Sequence, residues 1–513
     1  MATMTEEQQL EVEVPHSSHY MKESLCIFVI GASGDLAKKK TYPSLLELYL
    51  HNFLPTHTII VGYARSPKTD DEFRASIAPY LKATDERKKL QFLNMCIYRH
   101  GGYDSIPEVG KVSGEMATLE TSTGLAVHNR LFYFAIPPNV FVPAGGAIKG
   151  AALSTTGWNR LIVEKPFGHD LDSCNELCQA MGALYTEDEI YRIDHYLGKE
   201  MVQNMLLLRF TNATWEPLWN CRHIASVTIT FKEDIGTMGR GGYFDSYGII
   251  RDVMQNHLLQ VLSLVAMEPP VRCVGEDHAN YVRNEKVKVL RCIEPLSLDD
   301  AVLGQYVGNG TEPGYLDDKT VPKGSKAPTF CTVVMRVNNA RWDGVPFIMK
   351  AGKALNERKA EVRIQFKEAP GATHMFPDTV IPRNELVLRL QPNEAIYLKS
   401  NVKSPGLLTK PVSSELNLSY AARYADTHMP DAYTRLVLDV LRGNQSMFVR
   451  DDELQAAWAI FTPLLKEIEA KQVTPLPYEF GTRGPKESDE LTAKHGFVYH
   501  QGQYSWQPKT SAL

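Results

Sequence analysis

The chain has 513 residues, a length that predicts more than one domain. Its residues are 43% hydrophobic and 22% charged, which is the composition of a globular protein. Its formal net charge of -5 at pH 7 argues against nucleic-acid binding, so no nucleic-acid partner is expected. The stretch that comes nearest to a membrane span, residues 258–267, is too short to cross a bilayer, so no membrane partner is expected.

Cysteine use and the two ends of the chain bear on metal binding and location. The eight cysteines include no Cys-x-x-Cys spacing, so no metal is expected, and scattered free thiols favour a reducing compartment. Residues 1–22 are predicted to be a disordered tail, whose acidic start is not a secretory signal. A cytoplasmic location is therefore expected. The alternative is a peroxisome-like organelle, because the C-terminal Ser511-Ala512-Leu513 is similar to the Ser-Lys-Leu address, although it lacks the basic residue.

Residues 23–199 are predicted to form an α/β domain. Short apolar runs alternate with segments of helical period, and the first helix is expected over residues 37–50. The predicted strands are residues 26–30, 58–61, 131–136 and 161–163. Strands that alternate with helices form a parallel sheet with right-handed crossovers.

A turn rich in small residues follows the first predicted strand. It departs from Gly-x-Gly-x-x-Gly because position 33 is serine, and it fits Gly-x-x-Gly-x-x-Ala. Small residues still permit a tight turn, a close approach of pyrophosphate to the backbone, and close helix packing. The turn therefore predicts a Rossmann-like dinucleotide site that includes Gly31, Ser33, Gly34, Asp35 and Leu36.

The end of the second strand predicts which dinucleotide is bound. An NAD site carries an acid there for the ribose 2′-hydroxyl, whereas this strand leads into Gly62-Tyr63-Ala64-Arg65. An arginine in this place pairs with a 2′-phosphate and stacks on adenine, which favours NADP over NAD. The alternative is that Arg65 is an ordinary surface residue.

Lys165 lies in the sequence Glu164-Lys165-Pro166, after the strand predicted over 161–163. Proline cannot continue a central strand, so Lys165 is expected at the carboxyl edge of the sheet, where ligands of open α/β sheets bind. There it could reach both a nicotinamide and a sugar. Because Glu-Lys-Pro also occurs in other sugar dehydrogenase families, it indicates the class of enzyme rather than the substrate.

Residues 192–200 bring a carboxylate, an imidazole, a phenol and an ammonium close together, at Asp194, His195, Tyr196 and Lys199. If the segment opens a helix, His195 and Lys199 share a face, and this pair of cations with Tyr196 suits a phosphate dianion. Asp194 would lie outside that cluster and could orient a distant base. For each residue alone, the alternative is an ordinary helix start.

Residues 200–513 are predicted to form an α+β domain, because apolar and polar residues alternate with a period of two. This period indicates an antiparallel sheet with one wet face. The strands expected from it are residues 227–231, 332–337, 362–366 and 385–390, with helices over 245–266 and 431–442.

Asp252 and His257 lie five residues apart in one of these predicted helices. On an α-helix this spacing separates two side chains by about 140°, so both could border one cleft without touching. Glu233 ends a predicted strand, and Glu233 and Asp252 are candidate acceptors for sugar hydroxyls. Taken alone, a helical histidine such as His257 is more often a packing residue than a base.

Five motifs together resemble the glucose-6-phosphate dehydrogenase family. They begin at residues 31, 164, 192, 251 and 352, and they read Gly-Ala-Ser-Gly-Asp-Leu-Ala-Lys-Lys-Lys, Glu-Lys-Pro-Phe-Gly, Arg-Ile-Asp-His-Tyr-Leu-Gly-Lys-Glu, Arg-Asp-Val-Met-Gln-Asn-His and Gly-Lys-Ala-Leu-Asn-Glu-Arg. The resemblance implies a Rossmann-like dinucleotide-binding domain followed by an α+β domain. The second domain would hold a large, mostly antiparallel sheet used for dimerisation, so a homodimer or homotetramer is expected.

The resemblance also implies the reaction and the roles of the site residues. NADP would oxidise D-glucose 6-phosphate at C1 to 6-phospho-D-glucono-1,5-lactone, the first step of the oxidative pentose phosphate pathway, producing NADPH. His257 would be the general base and Asp194 would orient it. The phosphate binders would be His195, Tyr196 and Lys199, and the other substrate residues would be Lys165, Glu233, Asp252, Lys353 and Arg358.

Some members of this family bind a second, structural NADP on the large sheet. The positions that match such a site are Lys359, Arg363, Arg389, Tyr397, Lys399, Arg483, Tyr499 and Trp506. Lys350 departs from the usual arginine and Asn417 from the usual aspartate. Lysine lacks the bidentate geometry and stacking of arginine, so weaker binding is expected.

Two other functions are open at this point. A different sugar oxidoreductase would share the Glu-Lys-Pro motif but would lack the pair formed by His195 and Lys199. A catalytically inactive NADP sensor would be expected to lose His257 or Asp194, and both are present.

Overall fold

A computed structural model describes residues 19–275, 277–377, 379–407 and 411–498. By internal packing, the chain divides into two units that interleave along the sequence. Unit 1 comprises the described residues up to Trp215, together with Ile250–Ser297 and Tyr424–Gln472. Unit 2 comprises Glu216–Ile249, Leu298–Arg423 and the described residues from Val473 onward.

The strands are short and number fifteen among the described residues. In chain order they are β1 Ser24–Ile30, β2 Thr58–Ala64, β3 Cys96–His100, β4 His128–Phe134, β5 Asn159–Glu164, β6 Ile190–Ile193, β7 Ile224–Lys232, β8 Ala301–Val307, β9 Phe330–Arg336, β10 Pro346–Gly352, β11 Lys359–Phe366, β12 Glu385–Gln391, β13 Ala395–Lys403, β14 Pro411–Ser419 and β15 Leu476–Glu479.

The helices of the described residues include two π-helices, at Ala37–Thr41 and Ile250–Leu258. The α-helices are α1 Tyr42–Leu50, α2 Asp70–Ile77, α3 Glu86–Met95, α4 Ile106–Ser122, α5 Phe141–Ala151, α6 Leu171–Gly182, α7 Glu200–Phe210, α8 Gly241–Asp245, α9 Leu259–Ala266, α10 His278–Arg291, α11 Ala372–Met375, α12 Tyr420–Arg423, α13 Ala432–Arg442, α14 Asp451–Ala470 and α15 Lys486–Lys494. Short 3-10 helices lie at His19–Lys22, Ala78–Tyr80, Pro138–Val140, Glu216–Leu218, Leu298–Asp300 and Tyr315–Asp317. Within the described ranges, no helix is both long enough and apolar enough to cross a membrane.

Unit 1 is built on a six-stranded sheet with the order β3-β2-β1-β4-β5-β6, in which every pair is parallel. All seven residues of β1 are buried, as expected for a strand covered on both faces. The strand order reverses direction between β1 and β4, which creates the crevice where such sheets bind dinucleotides. The predicted Rossmann-like fold is confirmed.

The N-terminal segment differs from the sequence prediction at residues 19–22. These four residues form a 3-10 helix rather than part of a disordered tail. Tyr20 is buried, and its hydroxyl donates a hydrogen bond to the carbonyl oxygen of Phe53 at 3.0 Å. The buried ring and its hydrogen bond hold this segment against the backbone near Phe53. The rest of the predicted tail, residues 1–18, lies outside the described residues.

Two later segments of the chain complete unit 1, so a boundary at residues 199 and 200 does not describe its packing. Every residue of α9 is buried, so this helix is covered on all sides. Trp458 of α14 donates from Nε1 to the carbonyl oxygen of Phe167 at 2.8 Å. Lys286 of α10 and Glu453 of α14 form a 2.9 Å ion pair in which both side chains are fully buried.

Unit 2 contains a nine-stranded sheet with the order β14-β13-β12-β11-β7-β10-β9-β8-β15. The pairs β7–β10 and β8–β15 are parallel, and the other pairs are antiparallel. The predicted large, mostly antiparallel sheet is therefore confirmed. The strand β14 lies at one edge of the sheet, and six of its nine residues are exposed.

Candidate active site

The centre of the candidate site is a buried carboxylate–imidazole pair in unit 1. Asp194 follows β6 directly, and His257 lies near the end of the π-helix Ile250–Leu258. His257 Nδ1 and Asp194 Oδ1 are 2.6 Å apart, and the two residues are each only 3% exposed. Because a carboxylate accepts hydrogen bonds and cannot donate them, Nδ1 carries the proton and Nε2 keeps its lone pair.

The π-helix changes the predicted relation between Asp252 and His257. An α-helix would place these side chains well apart, but a π-helix bonds each residue to the one five positions on. Residues five apart therefore lie on nearly the same face, and the charge of Asp252 acts on the pKa of His257. The separation of about 140° expected for an α-helix therefore does not apply to this pair.

The electrostatics of the pair suit a base that is neutral at physiological pH. Burial lowers the pKa of His257, and the charge of Asp194 opposes that change without reversing it. For Asp194, burial acts to raise the pKa, but the charge and hydrogen bond of His257 lower it to about 2. The carboxylate is therefore ionised and the imidazole is neutral at pH 7.

Residues 195–198 form successive turns instead of the predicted helix start. Asp194 Oδ1 accepts a 2.9 Å hydrogen bond from the backbone N–H of Tyr196, and the carbonyl oxygen of His195 accepts one from Gly198. A Cβ on Gly198 would lie 2.3 Å from the carbonyl oxygen of Ala432, so this close approach requires glycine. The helix α7 begins only at Glu200.

The turn still brings the predicted phosphate binders together. The Tyr196 ring stacks on the His257 ring at 4.6 Å, and the His195 ring meets the His257 ring edge-on at 4.4 Å. Lys199 Nζ lies 5.0 Å from the centre of the Tyr196 ring. Burial, His257 and the nearby lysines hold the pKa of His195 well below its usual range. His195 is therefore a neutral hydrogen-bonding group here, and the predicted pair of cations is reduced to Lys199.

Lys165 lies at the carboxyl edge of the sheet, as predicted, since β5 ends at Glu164. Its Nζ donates to the carbonyl oxygen of Asp252 at 2.6 Å and lies 3.3 Å from Asp252 Oδ1. The ammonium is thus held beside the helix that carries His257. Asp194, His195 and His257 also offer metal-ligand atoms within 4.8 Å of one another. We interpret them as an acid–base group because Asp194 and His257 are already bonded to each other.

The predicted dinucleotide turn is tight, and its first residue must be glycine. Gly31 has a φ of +88°, and a Cβ at this residue would lie 2.3 Å from the carbonyl oxygen of Ala135. The backbone N–H groups of Gly31 and Ala32 bond to the carbonyl oxygen of Tyr63, which fixes the turn beside β2. Ser33, Asp35 and Leu36 lie in this turn between β1 and the first π-helix.

Arg65 is exposed directly after β2 ends at Ala64. Its guanidinium lies 5.6 Å from the centre of the Tyr103 ring, so the side chain is held against an aromatic surface. A cation in this position fits the 2′-phosphate of NADP, and the acid that NAD would require is not at this strand end.

Two residues near the site are not among the predicted site residues. Tyr433 of α13 is 8% exposed, and its ring stacks on the His195 ring at 5.9 Å. Glu164 is buried and accepts a 2.6 Å hydrogen bond from the hydroxyl of Tyr133. In the sequence, Tyr433 is one apolar position of a predicted helix far from residue 195. Glu164 belongs to the Glu-Lys-Pro motif, in which the lysine is the more obvious candidate.

Unit 2 carries the remaining predicted substrate residues. Glu233 follows β7, Lys353 follows β10, and their side chains form a 2.5 Å ion pair. The backbone N–H of Glu233 donates to the carbonyl oxygen of Gly352 at 2.9 Å, which fixes the two strand ends relative to each other. Arg358 is exposed directly before β11.

Unit 2 also holds a cavity of about 300 Å³ whose lining contains seven lysines and arginines and four carboxylates. Six of the residues predicted for a structural NADP site line it, namely Lys359, Arg363, Arg389, Tyr397, Lys399 and Arg483. Lys350 lines it as well, and burial lowers the pKa of this lysine to about 8. Asn417 pairs opposite Tyr397 on the edge strand. Tyr499 and Trp506, the other two predicted residues, lie outside the described residues.

Comparisons with known proteins identify the same family over most of the chain. Residues 28–204 match the family model for the glucose-6-phosphate dehydrogenase NAD binding domain, and residues 206–507 match that for the C-terminal domain. The chain is 55% identical to a glucose-6-phosphate 1-dehydrogenase of Dictyostelium discoideum, over 94% of this chain and 96% of the relative. It is 52% identical to glucose-6-phosphate 1-dehydrogenase 5, cytoplasmic, of Arabidopsis thaliana, over 95% and 94% of the two chains.

A solved structure of glucose-6-phosphate dehydrogenase in complex with its substrate glucose-6-phosphate is 48% identical to this chain. It superposes with a TM-score of 0.89, over 94% of this chain and 99% of that one. The chain belongs to the glucose-6-phosphate dehydrogenase family.

Proposed function

We propose that this protein oxidises D-glucose 6-phosphate at C1 with NADP to 6-phospho-D-glucono-1,5-lactone, producing NADPH in the first step of the oxidative pentose phosphate pathway. The observation that carries the proposal is the buried pair of His257 and Asp194 beside Lys199, in a unit with a dinucleotide-binding turn. The test is NADP reduction followed by near-ultraviolet absorbance, with glucose and NAD as comparators. Turnover of glucose equal to that of glucose 6-phosphate would contradict it.

The residues explain how the chain would promote this reaction. The C1 hydroxyl is a very weak acid, so a base must take its proton as hydride leaves C1. His257 offers Nε2 for this proton, because its Nδ1–H is held by Asp194. The ionised Asp194 keeps the tautomer and stabilises the imidazolium that forms. Bound NADP supplies the hydride acceptor.

We propose that Lys165 and Asp252 of unit 1 bind hydroxyl groups of the sugar near C1. Glu233, Lys353 and Arg358 of unit 2 are proposed substrate residues as well. The ion pair between Glu233 and Lys353 keeps both side chains in fixed positions before the sugar arrives, which reduces the entropy lost on binding.

Changing Lys199 to alanine should separate phosphate recognition from general damage. A substrate phosphate would be held by charge-assisted hydrogen bonds, and losing one weakens binding by roughly 1.5–3 kcal/mol. We therefore expect kcat/KM for glucose 6-phosphate to fall about 10- to 100-fold. Free glucose has no phosphate, so its low kcat/KM should fall far less. The measurement is steady-state kinetics with both substrates.

Equal losses for glucose and glucose 6-phosphate would show that Lys199 stabilises the turn instead of binding phosphate. Lys326 is a suitable control because it is a lysine of unit 2, outside the proposed set. Changing it to alanine should leave both kcat/KM values near those of the unchanged protein.

Changing Arg65 to alanine should raise KM for NADP strongly and leave the use of NAD little affected. The lost contact with the 2′-phosphate is worth roughly 1.5–3 kcal/mol, and NAD does not make this contact. The ratio of kcat/KM values for NADP and NAD reports the change directly. If both cofactors lost the same factor, Arg65 would act on folding, and the preference for NADP would have another source.

We further propose that the basic cavity of unit 2 binds a second NADP through its phosphates. The chain departs from family members with this site at Lys350, so binding should be weak. Changing Lys350 to arginine should restore bidentate contacts and tighten binding. NADP should then raise the melting temperature of this variant more than that of the unchanged protein. An equal or smaller rise would contradict a phosphate contact at residue 350.

The oligomeric state and the location complete the proposal. The edge strand β14 carries Leu416, which is 67% exposed, and its outer edge has no strand partner among the described residues, which favours pairing with another copy. We propose a homodimer or homotetramer formed through the large sheet, and analytical ultracentrifugation tests it. A cytoplasmic location is proposed from the Arabidopsis relative of that name. The Ser511-Ala512-Leu513 terminus lies outside the described residues.

A further inference from the structure

A second carboxyl group is buried at the carboxyl edge of the unit 1 sheet, one strand away from Asp194. Glu164 ends β5, and it pairs in register with Ile193, the last residue of β6. Glu164 is 7% exposed, and the hydroxyl of Tyr133 donates to its Oε1 at 2.6 Å. Three neighbouring strands thus bring a phenol, a carboxyl and a carboxylate to one buried edge.

The titratable and charged groups that act on Glu164 come from several elements. Tyr133 of β4 donates to it, Lys165 follows it in the chain, Asp194 follows β6, and Tyr433 lies on α13. Burial raises the pKa of Glu164 to about 7, although the Tyr133 hydrogen bond and Lys165 act to lower it. Glu164 therefore changes its charge within the neutral pH range.

Asp194 lies between Glu164 and the base in the electrostatic sense, because its charge acts on Glu164 and its carboxylate is bonded to His257. Asp194 Oδ1 is bonded to His257, while its Oδ2 is buried and has no hydrogen-bond partner among the described residues. Lys165 and Asp252 are the other charged side chains that act on His257. Because Glu164, Asp194 and His257 are themselves buried, solvent screens their interaction only weakly.

We propose that Glu164 is a positioning residue that acts electrostatically through Asp194 on His257. Its ionised carboxylate stabilises the imidazolium that forms when the C1 hydroxyl proton moves to Nε2, and its protonated form does not. The inference rests on the proposed role of His257 as the base. Its consequence is that kcat depends on two ionisations, the lower at His257 and the upper at Glu164.

The test compares the unchanged protein with Glu164→Gln across pH. Glutamine keeps the size of the side chain and still accepts from Tyr133, but it carries no charge. The kcat of the unchanged protein divided by that of Glu164→Gln should be close to one below about pH 6, where Glu164 is protonated. It should rise about three- to tenfold above about pH 8, with a midpoint near 7. The titration of the substrate phosphate is common to both proteins and cancels in the ratio.

Tyr133→Phe gives a directional check. Removing the donor to the ionised carboxylate raises the pKa of Glu164, so the upper midpoint should move up by about one unit. If Glu164→Gln does not fold, the kcat of the unchanged protein divided by that of Tyr133→Phe should peak between the two midpoints.

Asp439→Asn is the matched control. Burial raises the pKa of Asp439 to about 6, and the charges that act on it are those of Arg442 and Arg435. The kcat of the unchanged protein divided by that of Asp439→Asn should not change with pH.

Two outcomes would overturn the inference: a Glu164→Gln ratio that does not change with pH, or an upper midpoint that Tyr133→Phe does not move. Infrared difference titration of the free proteins supplies a readout that needs no turnover. The unchanged protein should lose a protonated carboxyl signal near pH 7, and this component should be missing in Glu164→Gln but present in Asp439→Asn. If this signal appears but glucose 6-phosphate is not oxidised, the proposed function fails and the ionisation of Glu164 stands.

Discussion

Replacing His257 with asparagine is expected to lower kcat by about 10²- to 10⁴-fold while KM for glucose 6-phosphate stays near its original value. The proton of the C1 hydroxyl moves only in the transition state, so loss of its acceptor affects that state and not the bound substrate. Asparagine keeps a polar side chain next to Asp194, which limits the structural damage. Steady-state kinetics with saturating NADP measures the effect.

Changing Asp194 to asparagine is the matched comparison for this prediction. It removes the charge that orients His257 but leaves the imidazole in place, so kcat should fall by a smaller factor. An unchanged kcat in the His257 variant would show that another group takes the proton. Equal falls in both variants would indicate that the two residues act only as one unit.

The pH dependence has a definite sign. His257 works as a base only in its neutral form, so activity must fall as the pH drops through its pKa. Burial lowers that pKa, and the fall should therefore begin below the usual imidazole value of about 6.5. Plots of kcat against pH measure it.

Replacing Lys286 with methionine is expected to destabilise the protein by about 3–5 kcal/mol. Lys286 and Glu453 are both fully buried and are paired at 2.9 Å, so the variant would leave one carboxylate in the core without its counter-ion. Chemical denaturation followed by circular dichroism gives the change in the free energy of unfolding.

A double variant and a surface pair make this result specific. Replacing both Lys286 and Glu453 with methionine removes both charges, so most of the lost stability should return. Lys466 and Asp172 are also 2.9 Å apart, but their side chains are 60% and 72% exposed. Lys466→Met should therefore change the free energy of unfolding by less than about 1 kcal/mol. Similar losses in both single variants would contradict the argument from burial.

Local patterns were sufficient to predict the parts of the site that depend on neighbours in sequence. The apolar run of β1 and the small residues after it act together over a few positions, so Gly31 and the dinucleotide turn could be located. Arg65 and Lys165 could be placed for the same reason, since each directly follows a strand whose end is visible in the sequence.

The parts that could not be predicted depend on distant residues. Residues 195–198 contain a helical spacing, but Gly198 packs against the backbone of Ala432, and that contact requires a turn. The shared face of Asp252 and His257 requires a π-helix, and no residue pattern distinguishes it from an α-helix. Tyr433 reaches His195 only after α13 has packed, so no spacing near residue 195 reveals it.

The interleaving of unit 1 has a consequence for how the chain is made on the ribosome. Strand β6 forms the edge of its sheet, where Arg192 pairs with Val449 and the Tyr191 ring meets the Phe448 ring at 4.9 Å. At synthesis rates of about 5–20 residues per second, these partners emerge on the order of 10–50 s after the strand. During that interval the nascent chain carries an unfinished apolar edge, which chaperones would have to shield. A recombinant fragment that stops at residue 204 would retain this edge permanently and should aggregate.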